Sequence, residues 1–335
     1  MDARDVFAGA HSAVSEAATP LSRARALAAL AAAQRGAGHP LEGAQAAGRA
    51  AAVFRRLGLD LAAARVQRLA ADCLADADRH DDALGLLKRA RRTFVAAARD
   101  DARSPDVAGA EAAAARSLRA LGLIEESRRA LHRAERGYLE AEMPVRAATC
   151  VLDRAVLHHD EGDVAAAVAL LGEARSTFLA HRRPDLAAVC DFDLGVALLD
   201  DGRADDAIER FVVARQIFAS LRRRADEAAC ELDMGVALHA VGRSGEARQA
   251  LRRARDAFRD LGRDRDAEQA EHDLDVLDGL VDPDTAELTV LRDLGEVPEE
   301  LAVLAARLDP ATDPQGLPFV AADHPSPASS TPRRD

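Results

Sequence analysis

The chain has 335 residues, of which 48% are hydrophobic and 30% charged, and its net charge is −12. This acidic balance argues against non-specific nucleic-acid binding, which needs basic surface, and it favours basic proteins or peptides as partners. No apolar run approaches the roughly 20 residues of a membrane span, and the N-terminus lacks the basic start and apolar core of a signal peptide, so we expect a cytoplasmic protein.

The first predicted element is a lone helix over residues 2–17, which should pack on the segment that follows it. Beyond it the sequence repeats itself. An aromatic residue recurs at one fixed interval, apart from a single longer one, at Phe54, Phe94, Tyr138, Phe178, Phe218 and Phe258. A period of this size is typical of a repeat protein, in which one small unit is stacked many times.

Each unit reads as a helix, a short turn and a second helix. In five units a glycine precedes the aromatic residue at the same offset, as Gly202 precedes Phe218, and should end the first helix; Asp78 takes that place in the second unit. An alanine lies four residues before each aromatic, on the face of the second helix that should let neighbouring helices approach closely. The turn glycines are Gly38, Gly122, Gly162, Gly202 and Gly242.

The period divides the chain into a solenoid over residues 1–281 and a C-terminal part. We expect six repeats, at about 22–60, 61–103, 104–147, 148–187, 188–227 and 228–267, and a capping helix over 268–280. The longer interval has its extra residues at 99–107, which predicts a looser joint there. Two short helices are expected within 282–309, and the proline-rich tail 310–335 is expected to be disordered. In that tail GLPFV (316–320) is either a docking motif or a chance apolar cluster.

These units resemble the tetratricopeptide repeat family. In repeat five Gly195 matches the family's small position on the first helix, and Ala207, Phe211 and Ala214 match its second-helix positions; Gly235, Ala247, Leu251 and Ala254 do the same in repeat six. The period exceeds that of the common unit, which is about 34 residues, and looks like the longer variants of kinesin light chains and bacterial signalling proteins. HEAT and armadillo units also have a period of about 40 residues, but the glycine and alanine offsets favour the tetratricopeptide unit. The resemblance implies an all-α α-solenoid, a superhelix of about six helix-turn-helix repeats whose concave groove binds a protein or an extended peptide.

A second repeated set is acidic. Asp153, Asp193, Asp233 and Asp273 recur with the same period on the first helices. By the resemblance they match a position that usually holds asparagine, faces the groove and touches bound peptide. His159, His239 and Phe192 are candidate neighbours in that groove.

Two interpretations of the acidic set stay open. It could bind a basic partner, or it could be neutralised by Arg175, Arg215 and Arg255, each of which lies at one fixed offset before an aspartate, on the preceding second helix. Before Asp153 the arginine is replaced by Glu135, so two acids would share one level. If an acidic patch binds a basic partner, we would place it at this point of the chain.

The remaining reactive residue types fit structural roles. Cys73, Cys150, Cys190 and Cys230 fall in apolar helical pattern and are interpreted as small buried side chains. The sequence has no phosphate loop, no HExxH and no CxxC, and HHDEGD (158–163) coincides with a turn, so we expect no catalytic residue, metal or cofactor. The sequence therefore predicts a non-enzymatic interaction scaffold. The alternative is a peptide-responsive sensor that acts on a separate effector, such as a caspase-like protease or a transcription regulator.

Overall fold

The computed structural model describes residues 3–98 and 104–279, and within these ranges the chain is helical with no β-strand. The all-α solenoid predicted from the sequence is confirmed. The predicted short helices in 282–309 and the tail 310–335 lie outside the described residues, as does most of the predicted joint at 99–107. The helices are α1 (Ala3–Glu16), α2 (Pro20–Gly36), α3 (Pro40–Arg56), α4 (Asp60–Ala75), α5 (His80–Ala98), α6 (Pro105–Ala120), α7 (Ile124–Glu140), α8 (Pro144–Asp160), α9 (Val164–Ala180), α10 (Pro184–Asp200), α11 (Ala204–Ser220), α12 (Arg224–Ala240), α13 (Ser244–Asp260) and α14 (Asp264–Leu277).

The helices alternate between first and second members of a repeat. The even-numbered helices α2 to α12 are first helices, the odd-numbered helices α3 to α13 are second helices, and α14 is a further first helix. The residues form two compact units, one within Met1–Asp153 and one that begins at Arg154. In the first unit α1 packs on α2, and the first helices α2, α4 and α6 contact one another in turn; in the second unit α10, α12 and α14 do so.

The turns inside the repeats have the left-handed residue that the sequence predicts. Gly202 has φ +75°, its N–H donates to the Leu199 carbonyl at 2.9 Å, and the Arg203 N–H donates to the Leu198 carbonyl at 2.8 Å. These two bonds make a Schellman motif, which satisfies the last carbonyls of α10. In the second repeat Asp78 adopts φ +61° at the equivalent place, so the chain makes the same turn there without glycine.

The aromatic ladder forms the core of the repeats. Phe178 is fully buried, Phe94 is 1% exposed, and the alanines four residues before the aromatics are fully buried. The four cysteines are buried and reduced, as their apolar surroundings predicted. Small residues also bring first and second helices together: a Cβ added to Gly195 of α10 would lie 2.5 Å from the ring of Phe211 on α11. The repeat residues are therefore packing residues, and function must rest on the positions that remain.

Candidate ligand-binding face

Arginines of the second helices bind acids on the following first helices, but not the acids that the sequence spacing indicated. Arg175 Nε donates to both carboxylate oxygens of Asp191 at 2.8 Å, and Asp191 lies two positions before the predicted partner. The equivalent pairs in the next two repeats are Arg215–Glu231 at 2.5 Å and Arg255–Glu271 at 3.4 Å. The predicted bridges from Arg175, Arg215 and Arg255 to Asp193, Asp233 and Asp273 are therefore wrong.

The predicted pairs failed because Asp191 and Asp193 lie on opposite faces of α10. Two residues equally far from the turn of an antiparallel helix pair lie at nearly the same height, so the predicted level was close. A step of two residues along an α-helix, however, rotates the side chain by about 200°. Asp191 consequently faces the second helices, whereas Asp193 faces away from them.

Two of these bound acids, Asp191 and Glu231, are held by arginines of two different second helices. Asp191 is fully buried, and a second arginine, Arg210 of α11, lies 3.4 Å from it. We call Glu111, Asp191 and Glu231 the clamped acids, because each joins the second helix before it to the second helix after it. The corresponding contacts are Arg91 and Arg133 to Glu111, at 2.5 and 2.8 Å, and Arg215 and Arg253 to Glu231, at 2.5 and 2.8 Å. Since arginines hold them from both sides, these carboxylates join the repeats and leave the list of ligand-binding candidates.

The same register alters the interpretation of Glu135. Its partner position on α8 is Val151, which is buried, rather than Asp153. Glu135 and Asp153 therefore do not face each other, and the reason for placing an acidic patch at this point is removed. Burial raises the pKa of Asp153 to about 6, against the opposing charges of Arg116 and Arg119.

Three of the four candidate aspartates lie in the second unit, on first helices that contact one another. Asp193 of α10 is 3% exposed and Asp233 of α12 is 7% exposed. Burial raises the pKa of Asp233 to about 7, and the negative charges of Asp273 and Asp200 add to the rise. Burial likewise raises the pKa of Asp273 to about 6, although its carboxylate accepts a hydrogen bond from Gln269 at 3.0 Å.

A further acid that the sequence analysis assigned to a turn belongs to this group. Asp200, at the end of α10, pairs with His159 at 2.7 Å. This hydrogen bond is the main reason that the pKa of His159 lies above its usual value; burial opposes the rise, and the charges of Asp200, Asp160 and Asp193 add to it. We call Asp193, Asp200, Asp233 and Asp273 the carboxylate row. Asp200 lies 41 residues after His159, and the same separation is found in two hydrogen-bonded pairs of the first unit, Arg35–Asp76 and Arg65–Asp106. This recurring separation is the signal that could have found Asp200.

The other two candidates do not join the row. Phe192 is half-buried and packs against the core of its own unit, with its ring 5.8 Å from that of Phe211 at an interplanar angle of 58°. His239 is exposed near the end of α12, and it makes no hydrogen bond or ion pair with another described residue. His159 is thus the histidine that the structure brings to the acids.

Arginines just after the second helices form a set that sequence reasoning missed. The Arg223 guanidinium lies 4.8 Å from the centre of the Phe218 ring, and Arg263 lies 5.1 Å from that of Phe258. Arg223 also pairs with Asp226 in the first turn of α12. The aromatic ladder therefore carries cation–π contacts at the turns between repeats, in addition to its core role.

No protein-family model matches the sequence, and no curated protein matches it either. Solved structures do. A Rap protein complexed with Competence and Sporulation Factor superposes with a TM-score of 0.60 at 13% identity, over 82% of this chain and 79% of that one. The fold is a tetratricopeptide-type α-solenoid. A STAND protein with a tetratricopeptide repeat sensor from Pyrococcus horikoshii gives 0.60 at 12% identity, over 91% of this chain and 49% of that one.

A third similar structure is BtubC (BKLC) from P. vanneervenii, with a TM-score of 0.51 at 17% identity over 78% of this chain and 93% of that one. At these identities the likeness concerns the fold. In the part of the chain that the structure describes, no helix is both long and apolar enough to cross a membrane. Within the same residues, no three His, Cys, Asp or Glu side chains come together as a metal site would require.

Proposed function

We propose that the protein is a non-enzymatic binding module that holds an extended peptide, or an extended segment of a partner protein, on the first helices of its second unit. The observation that carries the proposal is the carboxylate row, because it gathers four acids on three neighbouring first helices. The clamped acids Asp191 and Glu231, on two of the same helices, are examples of buried carboxylates that this chain neutralises with arginine. No arginine of the described chain binds Asp233 in this way, which favours a ligand that supplies positive charge.

The sign of the ligand's charge follows from the electrostatics. The carboxylates of the row repel one another, since the charges of Asp273 and Asp200 both raise the pKa of Asp233. A basic ligand would relieve this repulsion, whereas nucleic acid would add to it. A pre-formed helical surface also costs little ordering free energy when a ligand binds. A basic peptide or a protein with a basic extended segment is thus the partner class that we propose.

The test is a peptide array in which short peptides vary in net charge at constant apolar content. We expect binding by peptides rich in arginine and lysine, and this binding should weaken as salt rises from about 50 to about 300 mM, because salt screens the attraction between the charges. The variant with Asp193→Asn, Asp233→Asn and Asp273→Asn should bind at least about tenfold more weakly, which is a loss of ~1.4 kcal/mol.

A charge-matched control carries Asp205→Asn, Asp256→Asn and Asp260→Asn on exposed second-helix positions. It removes the same net charge from the chain but leaves the carboxylate row intact, so it should bind the basic peptides nearly as well as the parent chain. Equal affinity of the two triple variants, or binding without charge preference, would contradict the proposal.

A regulatory sensor is the second candidate. It is favoured by the similarity to a Rap protein complexed with Competence and Sporulation Factor and to a Rap conjugation gene regulator in complex with the Phr* peptide, at TM-scores of 0.60 and 0.56. In a sensor, peptide binding changes the conformation that a separate effector recognises. A decrease in radius of gyration on adding an array-selected peptide, measured by small-angle scattering, would support the sensor. A constant radius with bound peptide would favour the scaffold.

A further inference from the structure

The buried acids of α12 differ in whether an arginine binds them. Asp226 is 8% exposed and is bound by Arg223 at 2.5 Å, and Glu231 is 5% exposed and lies between Arg215 and Arg253. Asp233 is 7% exposed, yet among the described residues no arginine, lysine or histidine pairs with it and no donor makes a hydrogen bond to its carboxylate; the charges that act on it, those of Asp273 and Asp200, are both negative. A buried carboxylate of this kind costs several kcal/mol when it is charged and has no partner.

The helices packed around Asp233 supply acids on one side and occupied arginines on the other. From α10 and α14 come Asp200 and Asp273, which both raise its pKa, and Asp200 is itself hydrogen-bonded to His159 of α8. From α11 and α13 come Arg215 and Arg253, whose guanidinium groups are bound to Glu231 on the opposite side of α12. The charge missing from this position is therefore a cation that the described chain does not provide.

We propose that Asp233, flanked by Asp200 and Asp273, is a subsite for one cationic side chain of the ligand, an arginine or a lysine. This inference rests on the proposed function and specifies what the carboxylate row recognises. A guanidinium group can donate to two carboxylate oxygens at once, and an ammonium group can donate to several acceptors as a point charge. Either would complete for Asp233 the arrangement that Arg215 and Arg253 give Glu231.

Binding of a cation at this subsite has a proton linkage. Since the pKa of Asp233 is about 7, a large share of the molecules carry a neutral carboxyl group here at neutral pH. The incoming cation favours the charged form, so that a proton leaves the carboxyl oxygen and goes to solvent. The affinity for a cationic ligand should thus rise as pH increases from 5.5 to 8. His159 acts in the same direction, because its positive charge competes for Asp200 at low pH.

The experiment uses the full chain and three capped tripeptides, acetyl-Ala-Arg-Ala-amide, acetyl-Ala-Lys-Ala-amide and acetyl-Ala-citrulline-Ala-amide. Citrulline keeps the shape of arginine without its charge, so this arm needs no protein variant. Calorimetry and NMR titration should show binding of the arginine or lysine peptide at pH 8, at least about tenfold weaker binding at pH 5.5, and proton release measured by changing the buffer. The citrulline peptide should bind at least about tenfold more weakly than the arginine peptide.

The protein variants are Asp233→Asn, which keeps the side-chain shape, and Asp205→Asn, which removes the same charge from an exposed second-helix position. Asp233→Asn should lose the preference for arginine over citrulline and the pH dependence, while Asp205→Asn keeps both. Equal binding of arginine and citrulline peptides, or unchanged binding to Asp233→Asn, overturns the subsite. If array peptides still bind the carboxylate row in that case, the proposed function stands without it; if no array peptide binds, both fail.

Discussion

Gly195→Ala tests the packing of first and second helices directly. An added Cβ would lie 2.5, 2.7 and 2.8 Å from the Cε1, Cδ1 and Cζ atoms of Phe211, whereas ordinary contacts of such an atom fall at 3.4–4 Å. Phe211 is fully buried, so its ring has no solvent to move into. The substitution therefore forces the ring, or helix α11 that carries it, to shift by about an ångström.

Two opposing effects set the change in the free energy of unfolding caused by Gly195→Ala. Alanine in a helix interior is favoured over glycine by about 1 kcal/mol, and overpacking a well-packed core costs about 1–3 kcal/mol. Because three ring atoms are crowded at once, we expect the second term to win and the free energy of unfolding to fall by about 1–2 kcal/mol. Gly172→Ala is the matched control: it lies in the middle of α9, is exposed, and its Cβ would meet nothing within 4 Å. That variant should gain about 0.5–1 kcal/mol.

The assay is urea unfolding followed by circular dichroism, with both variants measured beside the parent chain. A rescue variant sharpens it, because repeat four has Ala155 and Leu171 where repeat five has Gly195 and Phe211. Combining Gly195→Ala with Phe211→Leu should recover most of the loss caused by Gly195→Ala. If Gly195→Ala stabilises the chain as Gly172→Ala does, or if Phe211→Leu makes the loss larger, the contact does not set the spacing of these helices.

Three further substitutions test the acids and the turns. Asp233→Asn should stabilise the fold by up to ~4 kcal/mol at pH 8 and not at all below pH 4. The reason is that the pKa of Asp233 in the folded chain, about 7, lies above the usual 3.8, so its charge destabilises the fold increasingly as pH rises between these values. Equal gains at pH 4 and pH 8 would contradict this expectation. Arg175→Ala leaves the fully buried Asp191 with Arg210 alone and should cost about 2 kcal/mol in urea unfolding, whereas a loss below ~0.5 kcal/mol would mean that the clamp is dispensable. Gly202→Ala should cost about 1–2 kcal/mol in the same assay because φ is +75°, and a neutral result would show that the turn relaxes.

The sequence predicted the repeat packing well because that packing is local and periodic. Each turn needs one left-handed residue at a fixed offset from a buried aromatic, as Gly202 stands before Phe218, and an offset of this kind is visible in the sequence alone. The charge pairs were harder. The sequence showed at which height along α10 the partner of Arg175 should lie, but not on which face of that helix. Asp193 and Asp191 are at nearly the same height and point in opposite directions, and Arg175 binds Asp191.

The candidate site was predicted in part. The period of the repeats singled out Asp233 and Asp273, and the structure places both on contacting first helices of one unit. Asp200 was missed because its partner His159 lies on the first helix of the preceding repeat. An alignment of the repeats compares equivalent positions and does not show a pair formed between two repeats. Burial, which decides the pKa of Asp233, depends on the neighbours of α12 and cannot be read from the repeat alone.

The two acids of α10, Asp191 and Asp193, stand two positions apart and face opposite ways, and α12 repeats the arrangement with Glu231 and Asp233. The first acid of each pair is bound by arginines of two second helices, whereas the second acid faces away from those helices. Under the proposed function, replacing the second acid would alter the ligand that binds, while the first acid would still join the same second helices. On the same proposal, a new specificity could evolve one repeat at a time, without any change to the packing of the helices.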